Sequence, residues 1–232
     1  MRLQGSEQAQ YRDGEAAVPA VSGARLVVKS VMDGLDAGDF APGQRLVEAD
    51  LCRRIGVGRN SVREGLQRLA SDGVVELSRH KGASIRELTL EQALETIEVT
   101  ELLAGLAARS AARRIDRPGA AQRLRGVLGE LAAAQAHDDD GPFVAARGAF
   151  YAILVRIGGN HELRRILPAV QVNLLRAQFQ LNRLQRRLIG QYQAVGQAVL
   201  AGDSVGAERL ARKHVRDVRA NLESQMTTTG RN

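Results

Sequence analysis

Apolar residues recur at helical spacing along most of this chain, and the period changes to that of a strand only briefly. From Ser22 onward Leu26, Val27, Val31 and Leu35 make a stripe one helix face wide. Gly38-Asp39 and Pro42-Gly43 interrupt it. Residues 48–55 read as a short second helix with Leu51 and Ile55 inward, and Gly56-Val57-Gly58 as a tight turn, where glycine adopts positive φ at little cost. A third helix is predicted over residues 59–70. Its Val62, Leu66 and Leu69 share one face, and Asn60, Arg63 and Gln67 fall together on the opposite one. Asp72-Gly73 stops it, and residues 74–77 and 83–86 then read as two strands around the basic tip Ser78-Arg79-His80-Lys81-Gly82.

Past Thr89 no strand pattern returns. Wide apolar faces predict helices through Ala112, through Ala136, over residues 143–157, once or twice between 163 and 184, over 189–201 and over 204–226. Six or seven antiparallel helices of this length make a bundle. The expected fold is therefore mostly α. A winged helix-turn-helix occupies residues 23–87 and an all-α antiparallel bundle residues 88–226, with a disordered tail over 1–22 and a frayed one over 227–232.

Helix, turn, helix and basic hairpin together are a device for placing one helix in a DNA major groove. The charge agrees with that. The net charge is +7, and residues 53–86 alone carry eight Lys/Arg against three Asp/Glu. Aromatic residues are only 3% and Trp is absent, so the helices must pack through aliphatic side chains. The single cysteine, Cys52, excludes an intrachain disulfide and a thiolate metal cluster. No run of 18 apolar residues is present to span a membrane, and the N-terminus lacks the apolar core of a secretion signal, which predicts a cytoplasmic protein.

Major-groove base edges carry a unique donor and acceptor pattern. Arg63 suits a forked contact to guanine, Asn60 and Gln67 an adenine or a phosphate, and Arg59, at the helix start, the backbone or a base edge. Arg79, His80 and Lys81 at the wing tip suit an adjacent minor groove or its phosphates, and Gly82 lets the backbone come close. Arg53 and Arg54 are read either as phosphate clamps or as a solvated face; Glu64 and Arg68 as ion-pair partners within the domain.

The run IGVGRNSVREGLQRLASDGVVELSRHKGASI, with its R-x-S-V-R-E-x-L-x-R-L core, D-G-V-V and K-G wing, resembles the DNA-binding domain of the GntR family of bacterial transcription regulators. The helical remainder resembles the FCD ligand-binding domain of its FadR-like subfamily, and the likeness covers roughly residues 22–225. It implies a homodimer on a short pseudo-palindrome of double-stranded DNA, with a metabolite altering DNA affinity. It makes Arg59 and Arg63 the base readers and His80 the wing contact. The family has Ser or Thr where this chain has Gly58, so a hydroxyl helix cap is missing.

Many FCD domains hold a metal through an Asp and a His of D-x-x-F-H and two further His. At the matching positions this chain has Arg147, Tyr151 and Tyr192, and only His214 is retained. Arginine cannot ligate a cation, phenols are poor ligands, and one imidazole does not hold a divalent ion, so no tightly bound metal or other cofactor is expected. A cation with several donors wants an anion. The resemblance then implies a small organic-acid effector, aromatic in our reading, held by Arg147 with Tyr151, Tyr192 and His214. The alternative is that these side chains fill a collapsed pocket. Arg176 and Gln180 face either inward or solvent, and Thr100 stands where many relatives place an Arg. His161 is expected as a local cap and His137 as a solvated loop residue.

The function expected is a DNA-binding regulator, a repressor by the family's habit, controlled by that acid. An architectural DNA-binding protein without an effector is the alternative. A metabolic enzyme has little in its favour, since no phosphate loop, Ser-His-Asp order or paired carboxylates stand out.

Overall fold

A computed structural model of the chain describes residues 22–80, 82–136, 140–167, 178–179 and 181–229. Residues 1–21, Lys81, His137, Arg176, Gln180 and residues 230–232 lie outside the described residues.

Helix α1 spans Gly23–Ala37, started by the Ser22 hydroxyl accepting from the Arg25 amide and ended by Gly38 at φ 82°. α2 is Glu48–Ile55 and α3 is Arg59–Ser71, separated by Gly56 at φ 74°, a left-handed position a side chain would strain. The wing is a hairpin of β2 (Val75–Ser78) and β3 (Gly82–Ile85), in register Val75 to Ile85 and Ser78 to Gly82. A third strand, β1 (Arg45–Leu46), pairs antiparallel with β3 and gives the sheet order β1-β3-β2. The hydrophobic pattern does not announce β1, because two residues are too few to display a period of two.

The bundle begins with α4 (Leu90–Ala112), whose start is a reciprocal capping box between Thr89 and Gln92. α5 (Ala120–Ala134) and α6 (Gly141–Gly158) follow, and Gly159 at φ 60° closes α6. α7 is His161–Ile166. Its cap is Asn160, which accepts from the Leu163 amide at 3.0 Å, so the capping role expected of His161 belongs to its neighbour. α8 is Leu181–Arg187, α9 Ile189–Leu200 and α10 Ser204–Thr229, three residues beyond its expected end.

The two layers meet in one apolar cluster. Val27, Leu35, Leu66 and Leu69 of the winged part join Ala93, Ile97, Leu181, Val215 and Leu222 of the bundle. A second cluster, around Leu124, Leu131, Phe143, Phe150, Tyr192 and Val199, fills the far end. Between the parts, Leu88 is clasped by one side chain: its amide donates to Gln178 Oε1 at 2.7 Å and its carbonyl accepts from Gln178 Nε2 at 2.6 Å.

Candidate nucleic-acid interface and bundle interior

The direction of α3 is set by what it buries. Val62, Leu66 and Leu69 are sealed against α1, and Gly65 brings the helices together: a Cβ there would stand 2.6 Å from the Val27 side chain. The opposite face is open, and Arg59, Asn60, Arg63 and Gln67 are all exposed on it. Arg79 and His80 are exposed at the wing turn, and Gly82 follows at φ 76°. The helix start at Gly58 has no side-chain cap, and nothing lies within 4 Å of where a side chain would begin.

Not every cation of the patch is held alike. Arg63 keeps its side chain 62% exposed while its Nε donates to Glu48 Oε2 at 3.1 Å. Arg53 is paired with Asp50. Arg54 is paired with Asp39 and lies over the Phe40 ring, 4.9 Å from its centroid, which makes it a brace between α2 and the loop after α1. Glu64 and Arg68 pair one turn apart, as expected.

In the bundle, Arg147 is 1% exposed, Tyr192 1% and His214 3%, with Tyr151 half-buried. Arg147 Nη1 donates to Gln185 Oε1 at 3.0 Å, and the guanidinium lies 5.6 Å from the Phe143 ring centroid. Its Nη2 stands 3.7 Å from Asp36 Oδ1, which belongs to α1 of the winged part. Tyr192 contacts Phe150, Tyr151 and His214, with centroids 5.4, 6.2 and 4.3 Å away. Tyr151 and His214 thus meet on the Tyr192 ring, while Arg147 lies against Phe143, whose centroid is 6.2 Å from that of Tyr192.

His214 is oriented from outside that cluster. Its Nδ1 lies 2.9 Å from Gln191 Oε1, while Gln191 Nε2 donates to Asp217 Oδ2 at 2.6 Å. A carboxamide that donates through nitrogen accepts through oxygen, so the network assigns the Nδ1 hydrogen and leaves Nε2 as the buried nitrogen of the ring. The Lys213 hydrogen bond holds the Asp217 carboxyl below its ordinary range against the opposing effect of burial, with help from Gln191 and from the charges of Lys213 and His214.

A divalent metal does not fit this donor set. A guanidinium occupies one ligand position, two phenols occupy others, and one imidazole remains. Among the described residues no three His, Cys, Asp or Glu come together. Thr100 turns its hydroxyl onto the Thr96 carbonyl of its own helix at 2.7 Å. Sequence reasoning missed Glu48, Asp36, Gln185 and Gln178. The one available signal was Asp36, an acid in the last turn of a helix, where the macrodipole disfavours negative charge.

Comparison with known proteins identifies both parts of the chain. Residues 24–85 match bacterial regulatory proteins of the gntR family, and residues 95–217 match the FCD domain. The chain is 26% identical over 138 residues to the "Probable D-xylose utilization operon transcriptional repressor" of Paenarthrobacter nicotinovorans, a match spanning 60% of each protein. It is 26% identical over 207 residues to the HTH-type transcriptional regulator LutR of Bacillus subtilis, covering 78% of this chain and 92% of that one. Among solved structures, E. coli McbR/YncC superposes with a TM-score of 0.77 at 21% identity, over 89% of this chain and 99% of that one. A GntR regulator from Rhodococcus sp. RHA1 gives 0.74 at 22%, over 88% and 99%. At such identities the structures bear on the fold alone.

Proposed function

Because the chain belongs to the gntR family of bacterial regulatory proteins and carries that family's FCD domain, we propose that it is a repressor released by a small organic acid. The coarser statement is plain: its family and relatives are transcription regulators, not enzymes. The proposal adds a homodimer in the cytoplasm, a short pseudo-palindromic operator, and an acid, aromatic by preference, bound at Arg147 without a metal. Among the described residues no helix is long and apolar enough to cross a membrane.

The observation that carries the DNA half is the outward Arg59-Asn60-Arg63-Gln67 face of α3 behind a sealed Val62-Leu66-Leu69 ridge. The observation supporting the acid is the buried Arg147 guanidinium beside Phe143, whose ring adjoins the group of Tyr192, Tyr151 and His214. The relative named as an operon repressor supports the sign of control.

Selection of duplexes from a random pool tests the first half. A short two-fold motif is expected, with Arg63→Ala losing about 1–3 kcal/mol at one base position. Equal loss on every sequence refutes the role given to Arg63, and sequence-tolerant binding favours an architectural protein. Thermal shift with carboxylic acids tests the second half. Stabilisation by zinc or nickel, reversed by a chelator, refutes the metal-free reading.

A further inference from the structure

We propose that the outer face of α4 is where two copies of this chain join, as an antiparallel helix pair about a two-fold axis. The inference takes up the homodimer of the proposed function and names the surface that makes it, so it rests on that reading.

The face is written in α4 itself. Glu95, Val99, Leu102, Leu106, Arg109 and Arg113 follow one another at alternate spacings of four and three residues. That repeat keeps one seam of a helix turned toward a partner helix. The bundle uses the other sides of α4. Ala93, Ile97, Ala104, Ala107, Ala108 and Ala111 are buried, and a Cβ at Gly105 would stand 2.6 Å from the Arg212 side chain of α10. On the seam, Val99 is 47% exposed and Leu102 55%. Glu95 and Arg113 are exposed as well, and Leu106 and Arg109 are half-buried. Large aliphatic side chains standing together in water on a rigid helix mark a surface that a partner covers.

Charge says which partner, and which way round. The seam is acidic before its apolar centre, at Glu91, Glu95 and Glu98, and basic after it, at Arg109 and Arg113. Such a face complements itself when turned end for end. A parallel pair would set acid on acid and base on base. With about 1.5 Å of rise per residue, an antiparallel pair centred between Thr100 and Glu101 sets Val99 against the partner's Leu102. It sets Glu91 at a level between the partner's Arg109 and the partner's Arg113. Arg109 is steadied by Glu208 at 3.1 Å, with its side chain 37% exposed. Beside the acidic end runs an open groove lined by Leu90, Glu91, Leu94, Glu95, Glu98 and Arg219. Its leucines suit the apolar stem of an arginine, and its three carboxylates, against one cation, suit the charged head.

The test is sedimentation velocity of the full-length protein over a range of concentrations, without DNA. The wild type is expected to be a dimer. Leu102→Glu should raise the dissociation constant at least about tenfold and leave helix content by circular dichroism unchanged. Glu91→Arg and Arg113→Glu should each raise it about threefold to tenfold, and the double variant should return close to the wild type. The two positions are about 33 Å apart along α4, so only pairing between copies lets one reversal cure the other, whereas packing defects add. This cycle carries the test alone if Leu102→Glu fails to fold. Weakening by Leu102→Glu with no recovery in the double variant overturns the antiparallel arrangement. A dimer as tight in Leu102→Glu as in the wild type overturns the face, while the homodimer stands on another surface. A wild type that stays monomeric at every concentration overturns the homodimer and this face with it.

Discussion

Glu48 shows how one carboxylate can temper an arginine proposed to read DNA. It sits at the start of α2 and takes the Nε of Arg63, leaving most of that side chain in solvent. An exposed pair of this kind is worth at most about 1 kcal/mol, so Glu48 aims the guanidinium rather than locking it away. Glu48→Gln should raise duplex affinity about twofold to fivefold at low salt in a gel shift, because a competitor of the phosphates is removed. A second residue, Asp217, gives a pH dependence. Its carboxyl is held below the ordinary value of 3.8, chiefly by Lys213. It therefore contributes stability that is present above that value and lost as the pH falls through the depressed one. The stability gap between wild type and Asp217→Asn should be full at neutral pH and close as urea melts are repeated below about pH 4. At this scale the sequence was legible where geometry is local. A helical wheel places Arg63 outward, but nothing in the chain before folding brings Glu48 to it.

Elements were the most legible scale. The outlines of α2, α3 and α4 follow from their apolar stripes, and those of α2 and α3 also from end signals: glycine after Ile55 and Asp72-Gly73 after α3. β1 escaped because its pairing with β3 is a tertiary event across Arg45 to Ser84. The α3 start is the element with most to gain. Gly58 has φ −73°, which any residue adopts, and open space where a side chain would go. Gly58→Ser should place a hydroxyl on the unsatisfied amides of the first turn and raise stability by about 0.3–1 kcal/mol in chemical denaturation. A loss of stability instead would show that the turn needs glycine for a reason other than capping.

Over the whole molecule the parts are more continuous than their sequence boundary suggests. Leu69 and Val27 of the winged part share an apolar cluster with Ile97, Val215 and Leu222 of the bundle. α4 and α10 are further joined by Glu101 with Arg212 and Arg216, and by Arg109 with Glu208. Heating should accordingly give one transition by both calorimetry and circular dichroism. Two resolved transitions would mean that the shared cluster does not couple the parts. The family pattern pointed to Arg147, Tyr151, Tyr192 and His214, because motif positions carry over residue by residue. Gln185 was invisible and Asp36 offered only its unfavourable place at a helix end, since their meeting with Arg147 depends on how α1 and α8 dock.

Leu88 gives both its backbone groups to the single carboxamide of Gln178. The segment beneath the wing is therefore held at both of its backbone groups, and in the proposed regulator it would carry a turn of the bundle into the winged part. In the proposed dimer, one extra base pair between half-sites swings them apart by about a tenth of a revolution. A joint held at both groups would resist unwinding to follow, and the fixed pitch of the double helix would then become part of what the proposed dimer recognises.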